Sequence, residues 1–442
     1  MKSSNYQEAL TRLMSLPDFE RAKNHPGHGD FHLERMTALL DRLGNPHRGI
    51  PTIHIAGTKG KGSTAAMLAS VGRVCGYKVG LYTSPHLHRV VERIRVGLDP
   101  IAAETFASLV WKIWPLVEHE NQSGEYGKVT FFEALTTMAL LHFAEIGADL
   151  LVIEVGLGGR LDSTNVVIPK LCAITRISLD HVSILGNSIE KIAEEKAGII
   201  KPTIPVVVAP QPREALEVFE AACKRNRSPL IDVTKDITWK ERHTMEGSQS
   251  FQVVGRHNSY NIQIPLMGRH QVDNTCTAIA ALELLIDEGD AISKQHIEEG
   301  LAKVVWPARM QILNHERCRI VVDGAHNPDS ISRLMDGLHE HFEFERAILV
   351  FGATRGHNPK EMLEKMVARS PVVVPVRSRH PKAIEAQEIW REAVGLGLHT
   401  EGNSGSVAEG TQTAIGLARN GDLIAGTGSL SVAAEVIEEG YG

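Results

Sequence analysis

Short apolar runs alternate with helix-like stretches through the first half of the chain. The runs are rich in β-branched residues and span 52–57, 78–83, 149–156, 171–177 and 205–209. Between them, residues 63–75 and 131–145 are predicted to be helices, the second with apolar side chains recurring at helical spacing. Buried strands separated by helices of this length are typical of a parallel sheet covered on both faces.

The pattern changes from about residue 228 to residue 270. Residues 250–256 and 260–268 flank a turn-like segment, and the second stretch alternates apolar and polar side chains as a half-buried hairpin would. We therefore expect a small antiparallel addition to the parallel sheet. A helix is predicted to follow at 272–285.

The sequence WPARM (306–310) interrupts this pattern with a tryptophan and a proline. Beyond it, strand and helix patterns alternate again to the last residues. We predict a first domain at 1–298, a linker at 299–306 and a second, smaller domain at 307–442. The second domain is expected to be a Rossmann-like α/β domain.

Composition narrows the class of protein. Of 442 residues, 43% are apolar and 23% charged. The net charge is −6, and acidic and basic residues are interspersed along the chain. These values are typical of a globular protein and do not indicate a nucleic-acid surface. The 5 cysteines form no CxxC pair, which argues against a zinc site and a disulfide framework. With no long apolar stretch or signal-peptide core, we expect a cytoplasmic protein without membrane segments, and a monomer.

The strongest local signal is HIAGTKGKGST (54–64), where a predicted strand enters a glycine-rich loop that ends at a predicted helix start. Glycines let backbone N–H groups surround phosphate oxygens, and a lysine neutralises the charge. A hydroxyl at the helix start can face Mg²⁺. The first domain is therefore predicted to be a P-loop domain with a mainly parallel sheet flanked by helices. The predicted ATP-binding residues here are Gly57, Thr58, Lys59, Gly60, Lys61, Gly62, Ser63 and Thr64, and the spacing is shorter than in GxxxxGK[ST] loops.

The spelling GTKGKGS resembles the shortened phosphate loop of the Mur ligase superfamily, in its folylpolyglutamate and dihydrofolate synthase branch. Further segments resemble that family in the same order. They are TSPHL (83–87), ERI (92–94), TFFEALT (130–136), EVGLGGRLDSTN (154–165), DHVSILGNSIEKIAEEKAGIIKP (180–202), GRHQVDN (268–274), WPARMQ (306–311), DGAHNP (323–328) and TGSLSVAAEV (427–436). Two segments depart from the family pattern: 353–362, which has ATRGHN in place of Asp-Lys-Asp, and 88–101, which lacks an aromatic-Asn pair before ERI.

A carboxylate is expected near the γ-phosphate, because Mg²⁺ prefers oxygen ligands. Glu154 stands at the carboxyl end of a predicted buried strand, where α/β sheets place their sites; the alternative is an ordinary strand-end carboxylate. The resemblance implies that Glu154, Ser84 and His181 are magnesium ligands, and among the hydroxyls at the helix start Ser63 is the expected ligand. It also implies that Lys196 carries a carbamate for a second Mg²⁺. Without the resemblance, Ser84 and His181 would be interpreted as ordinary polar residues, and Lys196 as a solvated lysine paired with Glu194 or Glu195.

The remaining site residues are implied by the resemblance. Arg309 is expected near the nucleotide phosphates, and Asn274 and Asp323 near the adenosine. His326 and Ser429 are expected to receive glutamate. The expected folate-binding residues are Phe131, Phe132, Gly158, Gly159, Arg160 and Asp162, and the expected catalytic residues are Lys61, His181, Lys196 and Arg309.

The predicted function is that of an ATP-dependent ligase. It joins a folate-type carboxylate to L-glutamate through an acyl phosphate and releases ADP and phosphate, as a folylpolyglutamate or dihydrofolate synthase. Two alternatives stay open from the residues alone. One is a Mur ligase that adds an amino acid to a UDP-muramyl precursor, and the other is a P-loop protein that binds nucleotide without ligating anything.

Overall fold

The computed structural model describes residues 2–20, 31–123, 126–316, 318–402 and 405–440. The chain forms two compact units. The larger unit comprises Met1–Glu241, Phe251–Ile262 and His270–Val304, and the smaller unit comprises Arg242–Ser250, Gln263–Arg269 and Val305–Gly442.

The larger unit is built on a mainly parallel sheet with the strand order β4-β3-β2-β5-β1-β6-β7-β8. From β2 to β8 each neighbouring pair is parallel, whereas β3 and β4 pair antiparallel at one edge. Every residue of β1 and β5 is buried, so the centre of this sheet is covered on both faces. The strands are β1 (Thr52–Ala56), β2 (Val79–Tyr82), β3 (Ile94–Val96), β4 (Asp99–Pro100), β5 (Leu150–Glu154), β6 (Leu171–Ile174), β7 (Val206–Val208) and β8 (Leu230–Asp232).

Helices flank this sheet and bury their apolar faces against it. The start of α5 shows why a helix begins where it does: Thr130 Oγ1 accepts from Glu133 N–H at 3.2 Å, and Glu133 Oε2 accepts from Thr130 N–H at 2.8 Å. The helices are α1 (Lys2–Met14), α2 (Leu33–Arg42), α3 (Lys61–Val74), α4 (Ala103–Ser123), α5 (Phe131–Glu145), α6 (Val182–Leu185), α7 (Ile189–Ala197), α8 (Arg213–Asn226), α9 (Val233–Asp236), α10 (Arg269–Asp287) and α11 (Lys294–Ala302). Short 3-10 helices span Val90–Arg93 and Ser163–Val166.

The segment with alternating polarity forms a separate small sheet. Its strands are β9 (Thr238–Met245), β10 (Ser248–Val254) and β11 (Ser259–Ile264), in the order β11-β10-β9. Residues of β11 are alternately exposed and buried. Because sequential neighbours are joined by the short turns 246–247 and 255–258, the sheet is an antiparallel meander.

The smaller unit has a sheet with the order β12-β13-β16-β14-β15. The pairs β13–β16, β16–β14 and β14–β15 are parallel, and β12 is antiparallel to β13. Its strands are β12 (Gln311–Asn314), β13 (Arg319–Val322), β14 (Arg346–Phe351), β15 (Val372–Pro375) and β16 (Asp422–Thr427). Its helices are α12 (Pro328–His341), α13 (Pro359–Glu364), α14 (Ala386–Gly395), α15 (Val407–Leu417) and α16 (Leu430–Gly440), with a 3-10 helix at Val367–Arg369.

The predicted fold class is confirmed, with a mainly parallel sheet flanked by helices, an antiparallel addition and a second α/β sheet. Three features go beyond the sequence-based prediction. The strands β3, β4 and β12 run antiparallel at sheet edges, the small antiparallel sheet includes β9, and the chain begins with α1 and α2. Short edge strands carry a weak apolar pattern, because only part of their surface is buried.

Candidate functional site

The phosphate loop joins β1 to α3 and is held in place by two glycines with positive φ. Gly57 has φ +145° and Gly60 has φ +94°. A Cβ atom at Gly57 would lie 1.9 Å from Thr175 Oγ1, and one at Gly60 would lie 2.2 Å from Asn274 Oδ1. Only glycine fits at these positions, so the loop lies closely against the end of β6 and against α10.

The same loop is anchored to the segment that leads to His181. The backbone N–H groups of Thr58 and Lys59 donate to Arg176 O at 3.0 and 3.1 Å. Thr58 Oγ1 donates to Ser178 O at 3.2 Å, and Lys59 Nζ lies 2.8 Å from Asp180 Oδ2. The predicted nucleotide loop and the DH pair are therefore neighbours in space.

Lys61, Ser84 and Glu154 meet at the carboxyl edge of the sheet. Lys61 Nζ lies 3.9 Å from Glu154 Oε1, and Ser84 N–H donates to Glu154 Oε2 at 3.1 Å. The three residues follow or end β1, β2 and β5, which are adjacent in the order β2-β5-β1. Parallel pairing puts their carboxyl ends at one edge, so the topology brings together residues that are far apart in the sequence.

Two hydroxyl groups and an amide lie at the start of α3. Thr64 is fully buried, and its Oγ1 has no hydrogen-bond partner within the part of the chain that the structure describes. Ser63 Oγ accepts from Gln271 Nε2 at 3.4 Å, and Asn274 Nδ2 donates to Gln271 Oε1 at 3.0 Å. The helix start thus carries an unsatisfied buried hydroxyl beside a polar group of α10.

His181 adopts a left-handed backbone conformation, with φ +49°, directly before α6. Desolvation, together with the charges of Lys61, Lys196 and Lys59, lowers the pKa of its imidazole to about 4, against the opposing charge of Asp180. The imidazole is therefore neutral at pH 7 and has a free electron pair to offer.

Lys196 lies in the last turn of α7 with 4% of its surface exposed. Burial, followed by the nearby charge of Lys61, lowers the pKa of its amine to about 7. Among the described residues Lys196 forms no ion pair. A buried lysine without a paired carboxylate is unusual and marks a candidate functional residue.

The GLGGRLD segment packs on the end of α7. A Cβ at Gly159 would lie 2.8 Å from Glu195 O, and Arg160 Nη2 lies 2.8 Å from Glu195 Oε1. Gly158 has φ +68°. Asp162 is buried, which raises the pKa of its carboxyl, and it accepts from Leu157 N–H at 2.8 Å. The loop therefore has a fixed backbone that lies against the Lys196 turn.

The two predicted aromatic residues differ in exposure. Phe131 is 1% exposed and packs in the core, with the Arg93 guanidinium 5.5 Å from its ring centroid. Phe132 is half-buried and lies against Gly156, where a Cβ would be 2.4 Å from Phe132 Cζ. Of the pair, Phe132 is the one that keeps a partly exposed ring.

In the smaller unit, Asp323 and His326 follow β13 and Ser429 follows β16, its parallel neighbour. Asp323 accepts from Met310 N–H at 2.9 Å and from Ala325 N–H at 2.8 Å. Burial raises the pKa of Asp323, although Arg309 opposes this shift. His326 Nδ1 lies 2.9 Å from the Gly324 carbonyl oxygen, so Nδ1 donates its proton to that oxygen.

Ser429 caps the last helix. Its Oγ accepts from Val432 N–H at 3.1 Å, and Gly428 N–H donates to Ala325 O at 3.0 Å. These contacts tie the TGSL turn to the DGAHNP turn. The predicted glutamate residues His326 and Ser429 therefore lie on two turns that are bonded to each other.

Family models match both parts of the chain. The Mur ligase middle domain matches residues 55–282, and the Mur ligase glutamate ligase domain matches residues 308–430. The dihydrofolate synthase/folylpolyglutamate synthase of Bacillus subtilis is 37% identical over 361 residues, which are 81% of this chain and 84% of the relative.

The chain belongs to the folylpolyglutamate and dihydrofolate synthase family of Mur ligases.

Members of this family are ATP-dependent ligases, and this chain is an enzyme of that kind. The predicted family is confirmed. It favours the folate ligase hypothesis over the two alternatives, a muramyl ligase and a nucleotide-binding protein without ligase activity.

Solved structures of folylpolyglutamate synthases share the fold. One from Mycobacterium tuberculosis, complexed with ADP and AMPPCP, has a TM-score of 0.90 at 29% identity and covers 100% of this chain and 99% of that chain. The Escherichia coli protein FolC, in complex with DHPP and ADP, has a TM-score of 0.84 at 28% identity, with 97% of each chain covered.

His357 lies beside the candidate site residue His326, although no role was predicted for it from the sequence. Its ring lies edge-on to the ring of His326, with centroids 5.1 Å apart and an interplanar angle of 62°. It belongs to the segment 353–362, which departs from the family pattern. That departure was the available signal, but only the fold shows that the segment after β14 lies beside the DGAHNP turn.

No helix within the described ranges is both long and apolar enough to cross a membrane.

Proposed function

We propose that the protein forms an amide between the carboxylate of a folate-type molecule and the α-amine of L-glutamate, using ATP. The proposal rests on one observation: Lys61, Ser84 and Glu154 lie close together where a glycine-rich loop ends and a helix begins. Such a site binds a triphosphate and neutralises charge, which is what carboxylate activation by ATP requires.

The reaction has two steps. A carboxylate oxygen attacks the γ-phosphorus, the bond to the bridging oxygen breaks, and ADP leaves. The amine nitrogen of glutamate then attacks the acyl-phosphate carbonyl, loses a proton and expels phosphate. Lys61 compensates the charge of the transferring phosphoryl group, and the N–H groups at the start of α3 orient it.

The residues present fit a magnesium ion. Glu154, Ser84 and the hydroxyls at the start of α3 offer oxygen ligands, and Thr64 Oγ1 lacks a partner among the described residues. A buried hydroxyl left unpaired costs about 1–3 kcal/mol, so a bound ligand that pairs with it is favoured.

The described part of the chain has no cluster of three or more His, Cys, Asp or Glu side chains suited to a metal. The protein would therefore hold Mg²⁺ through Glu154, Ser84, Ser63 and His181 together with nucleotide phosphates, as is typical of Mg²⁺ sites. When bound, Mg²⁺ would neutralise phosphate oxygens.

Lys196 is proposed to carry a carbamate. The ammonium would first lose a proton, and the neutral amine nitrogen would then form a bond to the carbon of CO₂ and lose a second proton to water. This replaces a cation with an anionic oxygen ligand. The support is its burial without an ion-pair partner among the described residues, beside the GLGGRLD loop. A carbamate would remove the repulsion between Lys196 and Lys61.

The folate-type substrate is proposed to lie along the partly exposed ring of Phe132 and the backbone of Gly158 and Gly159. Arg160 and Asp162 fix the backbone of that loop. Phe131 contributes through packing beneath Arg93 rather than through an exposed face.

In the smaller unit, His326 and Ser429 are proposed to receive glutamate. The support is the hydrogen bond from Gly428 N–H to Ala325 O, which joins their two turns, and the contact of His326 Nδ1 with the Gly324 carbonyl oxygen, which orients the ring. Arg309 and Asp323 are proposed to contact the nucleotide, and the proximity of the Arg309 charge to Asp323 is compatible with that role.

The test is a phosphate-release assay on purified protein with ATP, Mg²⁺, L-glutamate and either dihydropteroate or tetrahydrofolate. We expect phosphate release only when ATP, a pteroyl acceptor and glutamate are all present, with the glutamylated product detected by mass spectrometry. Phosphate release in the absence of the pteroyl acceptor or of glutamate, with no glutamylated product formed, would contradict the proposed ligation. Comparison of the acceptors distinguishes dihydrofolate synthase from folylpolyglutamate synthase activity.

A further inference from the structure

The loop at residues 83–89 follows β2 and has no regular secondary structure, yet its last three backbone N–H groups donate to one carboxylate. The Glu92 carboxylate accepts from Leu87 N–H at 2.8 Å, His88 N–H at 3.2 Å and Arg89 N–H at 2.8 Å. Three consecutive donors on one carboxylate fix the backbone of this turn.

The buried side chain of Arg93 holds the middle of the same loop through His86. It is 1% exposed, and its Nε donates to His86 Nδ1 at 2.9 Å. Its two terminal nitrogens donate to the Glu20 carboxylate at 2.8 and 2.5 Å, and its guanidinium lies over the Phe131 ring. A guanidinium is a rigid planar fork, so these partners determine one orientation for the His86 ring.

The loop is also held at its start, close to the proposed metal site. Thr83 N–H donates to Arg93 O at 3.1 Å, and the next residue, Ser84, donates its N–H to Glu154 Oε2 at 3.1 Å. Arg93 therefore binds the loop with both its carbonyl and its side chain. A continuous chain of contacts runs from Glu20 through Arg93 and the loop to Glu154.

We propose that Glu92 and Arg93 are positioning residues that hold Ser84 and Glu154 in the geometry needed by the metal–nucleotide complex. Neither residue would touch ATP or the metal; each would act through the 83–89 loop. The inference rests on the proposed magnesium site. It assigns a role to the ERI segment, which the proposed chemistry otherwise leaves unused. Partners that orient metal ligands typically change metal affinity or activity about 10–100-fold when removed.

The alternative is that this network only stabilises the fold. The two possibilities differ in a measurable way, because a purely structural role lowers the melting temperature without changing metal affinity in the folded protein. A positioning role changes metal affinity in protein that is still folded.

The variants are Glu92→Gln and His86→Ala, and the matched control is Arg95→Gln. Glu92→Gln keeps the side-chain shape but puts an NH₂ group against backbone donors. His86→Ala removes the ring that Arg93 holds and leaves the buried arginine in place. Arg95 lies two residues beyond Arg93, and its Nε and Nη1 donate to the carbonyl oxygens of Glu92 and Leu98.

The readout is Mn²⁺ binding in the presence of β,γ-methylene-ATP, followed by electron paramagnetic resonance, with circular dichroism to verify the fold. We expect the Mn²⁺ dissociation constant to rise about tenfold in Glu92→Gln and in His86→Ala, and to stay within about twofold in Arg95→Gln. The Mg²⁺ concentration for half-maximal ligation should shift in parallel.

Unchanged Mn²⁺ affinity in folded His86→Ala and Glu92→Gln would overturn the positioning role while leaving the metal site intact. Absence of Mn²⁺ binding to the unaltered protein with the nucleotide analogue would instead overturn the metal site, and this inference with it. If Glu92→Gln fails to fold, the partly exposed His86 still provides the decisive variant.

Discussion

Lys61→Ala tests the phosphate loop most directly. The Lys61 amine lies 3.9 Å from Glu154 Oε1, and its side chain is 16% exposed, so it is largely shielded from water. Two unit charges about 4 Å apart interact by roughly 4 kcal/mol at an effective dielectric constant of about 20. We expect the variant to lose about 3–4 kcal/mol of transition-state stabilisation, which is about 10²–10³-fold in kcat.

The fold should survive this change. In the variant Glu154 keeps the hydrogen bond from Ser84 N–H. Removal of the Lys61 charge also relieves its repulsion with Lys196. We therefore expect the free energy of unfolding to fall by less than about 2 kcal/mol, below the 3–5 kcal/mol typical of a broken buried ion pair. Urea unfolding followed by circular dichroism measures the free energy of unfolding separately from activity.

The matched control is Lys170→Ala. Lys170 is also a partly buried lysine paired with a carboxylate, with its Nζ 2.5 Å from Asp290 Oδ2, but it is not among the proposed site residues. Phosphate release at saturating substrates should stay near the wild-type rate in this variant. If Lys61→Ala keeps more than about a tenth of wild-type kcat, a barrier change under about 1.4 kcal/mol, the assignment of Lys61 to the phosphates is wrong.

The remaining predictions concern four other residues. Lys196→Ala should have below about 1% of wild-type activity and be partly rescued by acetate or formate, which restore an oxygen ligand; an unmodified lysine in active enzyme by mass spectrometry would contradict the carbamate. His326→Ala should raise the KM for glutamate about tenfold or more while ATP affinity in isothermal titration changes little, and an equal loss of ATP affinity would place the amino-acid pocket elsewhere. His357→Ala should raise the same KM about threefold, with His357→Phe closer to wild type, because the ring contact orients His326. His54 is fully buried, and burial lowers its pKa from 6.5 to about 3. Between pH 3 and 6.5 the unfolded state therefore binds the extra proton, so folding stability rises with pH by up to about 1.4 kcal/mol per unit. In urea titrations His54→Gln should show a smaller slope over that window, and an equal slope would refute the assignment.

Local signals determined much of the fold. The apolar β-branched runs predicted the parallel strands β1, β2, β5, β6 and β7, because a strand buried on both faces needs an apolar side chain at nearly every position. The phosphate loop was also predictable, since strand, glycines, lysine and helix start are contiguous in the sequence. The glycines at 57 and 60 have the positive φ and close contacts that require glycine.

Other features depend on contacts that a sequence does not encode locally. Sequence order does not show that β5 lies between β2 and β1, and it is this strand order that places Ser84 and Lys61 beside Glu154. The edge strands β3 and β12 were not predicted, because a short strand buried on one side has little apolar periodicity.

The tertiary structure alone decided which polar residues are unusual. Lys196 reads as a solvated lysine in a charged helical turn, but packing of the GLGGRLD loop buries it and lowers its pKa to about 7. His357 reads as a departure from a family pattern, but the fold places it against His326. Burial and proximity result from the whole fold, so the charge state and the neighbours of these side chains could not be read from the sequence, whereas the residue types and the strand ends that carry them could.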